Sequence, residues 1–206
     1  TLQSLFRVEY DGTFTTVKTL PLEEMSPSHL VVGQDGFLYG YTGQSANSLA
    51  YPSSPPPTVP EGVFFRLGYD LTYAVILGLP HRLATEMVVG SDGAFYAGSA
   101  YKQFGDYGAW NDIGLVKITS TGTFTALGGQ DGIYSPVPMM VGSDGALYGT
   151  RTNSAWKTPY GGVFRLDTAG NFSVIHQFVE TKDIIDDLVL GTEGLIYDSN
   201  AGGCLC

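Results

Sequence analysis

The chain has 206 residues and a mass of 22.0 kDa, which is enough for one domain with a substantial hydrophobic core. Its 20 acidic and 10 basic residues give a net charge of −10, which argues against a phosphate-tracking surface and against nucleic acid as a partner. No apolar run approaches the roughly 20 residues that cross a bilayer, so we expect no membrane insertion. The 28 glycines and the aromatic content of 13% favour an all-β fold.

A first motif begins near the amino terminus and recurs four times along the chain. It consists of alternating residues around an Arg or Lys, a tight turn, and an aromatic residue. The copies are residues 5–14, 64–73, 115–124 and 163–172. Because successive side chains of a strand point to opposite faces, the basic residue lies on one side and its apolar neighbours on the other. The motif predicts a β-hairpin.

A second motif follows the first and also recurs four times, at residues 30–39, 87–96, 139–148 and 188–197. Each copy has an apolar run, then Asp-Gly or Glu-Gly, then an aromatic or β-branched stretch. The glycine supplies the positive φ that a tight hairpin turn requires. This motif therefore predicts a second hairpin in every repeat.

Two hairpins per repeat form a four-stranded antiparallel sheet, the unit of a β-propeller blade. The repeats recur at intervals of roughly 50 residues, and the interval that runs through the two chain ends has a similar length. We therefore predict an all-β, four-bladed β-propeller whose last blade is closed by the N-terminal and C-terminal hairpins. The predicted blades are residues 30–79, 87–130, 139–180, and 188–206 together with 1–20. An open solenoid of four units is the alternative, and it would leave two bare ends.

The motif G-S-D-G-x-x-Y-G, followed by G-x-V-F-R-L and a turn before Phe, resembles the GloVer-type tandem repeats of secreted "choice-of-anchor" proteins. The resemblance covers essentially the whole chain. The closest matches are Asp92, Gly93, Tyr96, Asp144, Gly145, Tyr148 and Gly149, whereas Leu71, Glu193 and Asp198 depart from the pattern. The resemblance implies an extracellular propeller and brings no catalytic residues with it.

The connections between the two hairpins of each repeat differ in length, while the hairpin turns are uniformly short. We predict these connections as loops at residues 42–61, 99–113 and 150–161, gathered on one face. The second and third loops carry aromatic and polar residues suited to stacking on sugars and bonding hydroxyls. The predicted glycan-binding residues there are Tyr101, Asp106, Tyr107, Trp110, Asp112, Arg151, Trp156 and Tyr160. Alternatively, these aromatics cover the blade tops as small cores.

A second candidate site follows from equivalent positions in the repeats. His29, Glu86, Pro138 and Asp187 each stand four residues before the glycine of the inner hairpin. Equivalent residues of innermost strands surround a propeller axis, so His29, Glu86 and Asp187 are predicted at the channel mouth. Histidine with two carboxylates can bind a cation or act as base and acid. The alternative is that they are merely solvated at a strand entrance.

The repeated acidic residues of the hairpin turns have a structural interpretation. Asp35, Asp92, Asp144 and Glu193 precede glycine and are predicted to be turn formers. Arg7, Arg66, Lys117 and Arg165 are predicted to pair with acidic turns. No P-loop, G-x-S-x-G, H-E-x-x-H or Rossmann fingerprint occurs, which removes the commonest motif-based enzyme classes.

Three functions remain open at this stage. The first is a secreted carbohydrate-binding propeller that holds a glycan or polysaccharide on the long-loop face, without a cofactor. The second is a polysaccharide lyase or hydrolase with His29 or a nearby Tyr as base, Glu86 or Asp187 as acid, and Arg151 neutralising a uronate. The third is an extracellular structural subunit that forms a homo-oligomer or polymer through tyrosine-rich faces, the Pro-rich segment 51–60 and Cys204 and Cys206. Low lysine content and a start without Met favour the extracellular location.

Overall fold

The computed structural model describes residues 3–20, 26–43, 60, 62–83, 85–102, 110–127, 134–152, 161–177 and 185–200. The strands in these ranges are β1 (Gln3–Val8), β2 (Phe14–Leu20), β3 (Ser26–Val32), β4 (Leu38–Gly43), β5 (Val63–Leu67), β6 (Tyr73–Gly78), β7 (Arg82–Leu83), β8 (Val88–Val89), β9 (Phe95–Lys102), β10 (Trp110–Ile118), β11 (Phe124–Ala126), β12 (Tyr134–Val141), β13 (Leu147–Thr152), β14 (Gly161–Leu166), β15 (Phe172–Gln177), β16 (Ile185–Leu190) and β17 (Ile196–Asn200). The predicted all-β fold is confirmed for this part of the chain. The described residues contain no apolar helix of membrane-spanning length.

Three sheets have the antiparallel order that the two-hairpin repeat predicts. Sheet 1 is β3-β4-β5-β6, and sheet 3 is β12-β13-β14-β15. In sheet 2 the order is β9-β10-β11, and both β7 and β8 pair with the other edge of β9. The first strand of sheet 2 is therefore divided into two short pieces.

Each inner hairpin turns at the Asp-Gly or Glu-Gly pair that the sequence predicts. The glycines have φ values between 76° and 84° and are Gly36, Gly93, Gly145 and Gly194. The Asp92 carboxylate accepts the amide N–H of Ala94 at 3.1 Å, and Asp35 and Asp144 make the same bond in their own turns. The predicted role of these aspartates as turn formers is confirmed.

The hydrophobic core lies between successive sheets. Tyr39 and Phe64 of sheet 1 pack against Phe95 of sheet 2, with ring centroids 4.4 Å and 5.2 Å from the Phe95 ring. All three rings are buried, which contributes on the order of 2 kcal/mol each to stability. A second cluster joins sheet 2 to sheet 3 through Leu115 and Phe164. The sheets are thus held face to face by apolar side chains from both partners.

The two terminal hairpins differ from the three larger sheets. In the described residues, β1-β2 and β16-β17 are separate two-stranded sheets, so the predicted shared fourth sheet is not formed there. The hairpins contact different neighbours, since β1 lies against β3 and β16 lies against β12. Residues 1, 2 and 201–206 of the predicted fourth blade lie outside the described residues.

The terminal hairpins also expose apolar side chains whose counterparts are buried. Phe6 is 57% exposed, whereas Phe65 and Phe164, at the equivalent position of the repeat, are fully buried. Tyr197 is 51% exposed, whereas the equivalent Tyr39 is fully buried. Each hairpin therefore has an apolar face without the cover that a neighbouring strand gives in the larger sheets.

Two glycines of β4 provide a test of how tightly sheet 1 is packed. A Cβ on Gly40 would lie 2.6 Å from Phe65 Cζ and 2.8 Å from Leu30 Cδ2, whereas a Cβ on Gly43 would meet nothing within 4 Å. We expect Gly40→Ala to destabilise the protein by about 1–3 kcal/mol because it overpacks this contact. Gly43→Ala, in the same strand, should be nearly neutral. Urea unfolding of both variants measures the difference, and equal midpoints would contradict the described packing.

Candidate functional site

The predicted axial residues lie where the first strand of each sheet departs from regular pairing. The register of β3 on β4 shifts between Ser28 and Leu30, which leaves His29 at the bulge. The register of β12 on β13 shifts between Val137 and Met139, and that of β16 on β17 shifts between Ile185 and Leu188. Bulges re-aim side chains and are common beside active sites.

Sheet 2 departs from regular pairing at the same place and to a greater degree. The chain leaves β7 at Leu83 and enters β8 at Val88, spanning more residues than the stretch of β9 that it faces. Glu86 lies in this segment. Thr85 anchors this segment to β9, because the Thr85 hydroxyl oxygen accepts a hydrogen bond from the Gly98 N–H at 2.7 Å. The Tyr41 hydroxyl of sheet 1 donates to the Thr85 carbonyl at 2.9 Å, which ties the segment to the adjacent sheet.

His29 and Glu86 approach each other at this edge. His29 Nε2 lies 3.7 Å from Glu86 Oε2, and the two side chains are 32% and 79% exposed. The backbone of His29 has a φ of 46°, a left-handed conformation that is uncommon for a residue other than glycine. Such strain is often found at functional sites. An imidazole and a carboxylate placed this close together can act as base and acid.

A cavity of about 330 Å³ opens beside His29, between β1 and β3. Its walls are Ser4, Leu5, Phe6, Pro27, Ser28, His29 and Leu30. These residues offer apolar surface, two hydroxyls and one imidazole to a small molecule. The sequence analysis did not identify this cavity, because its two walls come from different repeats.

The other predicted site residues are only partly within the described chain. Tyr101, Trp110 and Asp112 belong to the paired strands β9 and β10, and Arg151 belongs to β13. The predicted loops 99–113 and 150–161 are therefore shorter than expected, because strand pairing continues further from each turn. Asp187 is in β16. The remaining predicted residues, Asp106, Tyr107, Trp156 and Tyr160, lie outside the described residues.

The acidic turn residues do more than shape the turns. Asp144 Oδ2 lies 2.8 Å from the Arg165 guanidinium and accepts the Tyr148 hydroxyl at 2.9 Å. Lys117 Nζ lies 2.7 Å from Asp92, so the predicted pairing of basic residues with acidic turns is confirmed in sheets 2 and 3. In sheet 1, Arg66 lies over the Phe37 ring at 4.6 Å instead.

The tyrosine member of these clusters was missed in the sequence analysis, although it stands four residues after the acid in every copy. The hydrogen bonds from Arg165, and then from the Ala146 amide, hold the pKa of Asp144 below its ordinary value of 3.8. Each cluster is built within one sheet, so we assign it to structure. Elsewhere in the described ranges, no three His, Cys, Asp or Glu side chains converge as a metal site.

Comparison with known proteins identifies the fold. The sequence matches no protein-family model and no curated protein. Solved structures do match. One is virginiamycin B lyase from Staphylococcus aureus, a catalytically inactive histidine-to-alanine variant solved with quinupristin. It has a TM-score of 0.59 at 15% identity, covering 95% of this chain and 62% of that one. A luciferin-regenerating enzyme has a TM-score of 0.55 at 11% identity, covering 97% of this chain and 64% of that one. A proposed gluconolactonase has a TM-score of 0.52 at 16% identity, covering 98% and 65%.

These neighbours are β-propeller proteins, so the chain has a β-propeller fold. At identities of 11–16% the likeness establishes the fold alone. The chain spans less than two thirds of the length of each neighbour, 62–65%.

The Asp144 cluster makes a pH-dependent contribution to stability. Because folding lowers the pKa of Asp144, this contribution is present above the ordinary value of 3.8 and is lost as the pH falls below it. We expect Arg165→Met to lower the melting temperature near pH 7 and to have little effect near about pH 2. Arg165→Lys is the matched control, because the equivalent Lys117 makes the same contact. A difference between wild type and Arg165→Met that is independent of pH would contradict the assignment.

Proposed function

We propose that the chain is a β-propeller lyase or hydrolase with its active site at the mouth formed by His29, Glu86 and Asp187. The observation that carries the proposal is the meeting of His29 and Glu86, from two different sheets, at 3.7 Å beside a cavity of about 330 Å³. The names of the structural neighbours, which include a lyase and a proposed lactonase, support an enzyme over a purely binding role.

In this proposal His29 is the general base and Glu86 is a positioning residue. A carboxylate beside Nε2 favours the tautomer with the proton on that nitrogen, which leaves the lone pair on Nδ1. In a hydrolase, Nδ1 would take a proton from water as the water oxygen bonds to the reacting carbon. In a lyase, it would take the proton from a carbon next to a carbonyl, and the electron pair would form the double bond that expels the leaving oxygen. In both reactions Asp187 would protonate the leaving oxygen.

The cavity lining and the charge of the chain favour a neutral carbohydrate as substrate, and with it the hydrolase, because the lyase reaction needs a carbonyl next to the reacting carbon, as in a uronate. Pro27 offers apolar surface to the C–H face of a sugar, while Ser4 and Ser28 offer hydroxyls. A net charge of −10 disfavours the approach of a polyanion such as a uronate polymer. A secreted or cell-surface location, which the repeat resemblance implies, fits a polysaccharide substrate.

We also propose that the chain forms four blades and that β16-β17 and β1-β2 together make the fourth. Support comes from the side chains that the hairpins leave exposed. Val88 and Tyr96 of sheet 2 belong to the cluster that contains Met139 and Val141 of sheet 3. The equivalent residues at the open seam, Val189, Tyr197, Leu30 and Val32, are between 44% and 60% exposed. Closure would bury these four together and bring Asp187 to the mouth.

Closure is compatible with an accessible cavity beside His29. Tyr41 of β4 extends to the segment that carries Glu86 and donates to Thr85. The equivalent residue of β17 is Ser199, whose shorter side chain fills less volume. The space beside His29 would therefore remain partly open in the completed blade.

A glycan-binding role for the long-loop face is a second proposal. The register places Tyr101 opposite Asn111 and Trp110 opposite Lys102, at the ends of two paired strands. Aromatic and polar residues are thereby concentrated at one end of sheet 2, as sugar recognition requires. Self-assembly into an oligomer remains a third hypothesis.

The enzyme proposal is tested by the backbone at His29. Asparagine tolerates the left-handed conformation, and glycine adopts it freely, so His29→Asn and His29→Gly should fold at least as well as wild type. Neither can act as the base, and we expect kcat/KM to fall by about 10²-fold or more. Release of reducing or unsaturated ends from a panel of neutral and acidic polysaccharides provides the assay.

Two further variants separate the roles at this site. Glu86→Gln should lower kcat with little change in KM, and Glu86→Asp should recover part of the loss, as a positioning role requires. His176→Ala, on the edge strand β15, is the matched control and should retain full activity. Product release by His29→Asn at the wild-type rate, or no product from any substrate with wild type, would overturn the enzyme proposal.

A further inference from the structure

We propose that Arg7 completes an acid-tyrosine-cation cluster with Glu193 and Tyr197, like the clusters of sheets 2 and 3, and that this cluster sets the register of β1 on β17. The inference rests on the proposed closure of the fourth blade and deepens it. In this inference the chain's own strand β1 pairs with the open edge of β17, and Arg7 stands directly opposite Tyr197.

The three larger sheets follow one rule. In each, the tyrosine of the inner hairpin stands directly opposite the basic residue of the next strand. The opposed pairs are Tyr39 with Arg66, Tyr96 with Lys117, and Tyr148 with Arg165.

The side-chain contacts follow this register. In sheet 3 the Arg165 Nε–H donates to the Tyr148 hydroxyl at 3.1 Å, while another guanidinium nitrogen lies 2.8 Å from Asp144. In sheet 2 the Tyr96 hydroxyl donates to Asp92 at 3.0 Å, and Lys117 lies 2.7 Å from the same carboxylate oxygen. In sheets 2 and 3 the basic residue therefore pairs with the acidic residue of the neighbouring hairpin, whereas in sheet 1 Arg66 lies over the Phe37 ring.

The members of the proposed cluster lie on two separate hairpins. The Tyr197 hydroxyl donates to Glu193, as in the other inner hairpins. Among the described residues, however, no Lys or Arg forms an ion pair with Glu193. Arg7 has the sequence position of the basic residue in its own repeat, and it lies on the other terminal hairpin.

Arg7 is available for this role. Its guanidinium lies 2.7 Å from Glu9, and the two side chains are 46% and 45% exposed. Such exposed ion pairs contribute little to stability, so exchange of Glu9 for Glu193 loses little. Exchange would bring a cation to an acid-tyrosine pair that lacks one.

The same register accounts for the exposed apolar residues of β1. With Arg7 opposite Tyr197, Val8 stands opposite Ile196, as Leu67 stands opposite Leu38 and Leu166 opposite Leu147. Val8 is 55% exposed at present, whereas Leu67 and Leu166 are buried. A slip by one residue would turn Phe6 and Val8 to the opposite face of the sheet, and a slip by two would move Arg7 away from Tyr197, so this register alone matches all three complete sheets.

Disulfide trapping tests the register. In a background with Cys204→Ser and Cys206→Ser, we would introduce Arg7→Cys with Tyr197→Cys. Residues directly opposite in an antiparallel pair have Cα atoms within the range that a disulfide bridges. We expect loss of both free thiols in a species that remains monomeric by sizing chromatography under non-reducing conditions. Tyr148→Cys with Arg165→Cys is the positive control from a complete sheet.

Two outcomes would overturn the register, and they differ in what they say about closure. Cross-linking through Glu9→Cys with Tyr197→Cys, but not through position 7, would mean that the blade closes in a different register. Cross-links only between chains, or none at either position, would contradict closure within one chain as well. The polysaccharide assay with His29 variants is independent of these results, so failure here is distinguishable from failure of the enzyme proposal.

A charge exchange provides a second measurement that needs no cysteine. Arg7→Glu should lower the melting temperature, and adding Glu193→Arg should restore most of the loss. If Arg7 instead acts through its present partner, adding Glu9→Arg should restore stability and Glu193→Arg should not. Rescue through position 9 alone would overturn the proposal.

Discussion

An antiparallel sheet with apolar residues on both faces is stable only between two neighbours, because each face must be removed from water. Sheet 2 satisfies this requirement within the described residues. One of its faces packs on Tyr39 and Phe64, and the other packs on Leu147 and Phe164. The terminal hairpins do not satisfy it, because Phe6, Val8 and Tyr197 remain exposed. The proposed closed ring follows from applying the same requirement to these hairpins.

The site depends on this arrangement of sheets. His29 and Glu86 are far apart in the sequence. They come together because sheets 1 and 2 pack side by side, so that the bulge of β3 at His29 lies next to the segment between β7 and β8 that carries Glu86. The hydrogen bond from Tyr41 of sheet 1 to Thr85 fixes the position of this segment relative to sheet 1, and the bond from the Gly98 N–H to Thr85 fixes it on β9. A fold that stacks equivalent positions around one axis can therefore bring together acid and base groups from separate repeats. This is why the axial residues, rather than any local motif, carry the proposed chemistry.

The repeats made much of the fold predictable. A glycine with positive φ after an acidic residue has a local cause, so the turns at Gly93 and Gly145 could be placed from the sequence. The equivalent positions of His29 and Glu86 predicted that they lie near one axis, but not that their side chains approach each other. The bulge at His29 could not be predicted, because it depends on how many residues face one another across two strands. For the same reason the extension of β10 back to Trp110 was missed, since pairing beyond a turn has no local sequence signal.

We propose that β1 is an interior strand of a completed blade rather than the edge of an isolated hairpin. Hydrogen exchange of the backbone amides of β1 measures this directly, with the interior strand β14 as the reference. In a completed blade, the β1 amides that point away from β2 bond to β17, and they should be protected to the same degree as those of β14. Exchange of these alternate amides at the rate of an exposed edge strand, while β14 stays protected, would contradict the account.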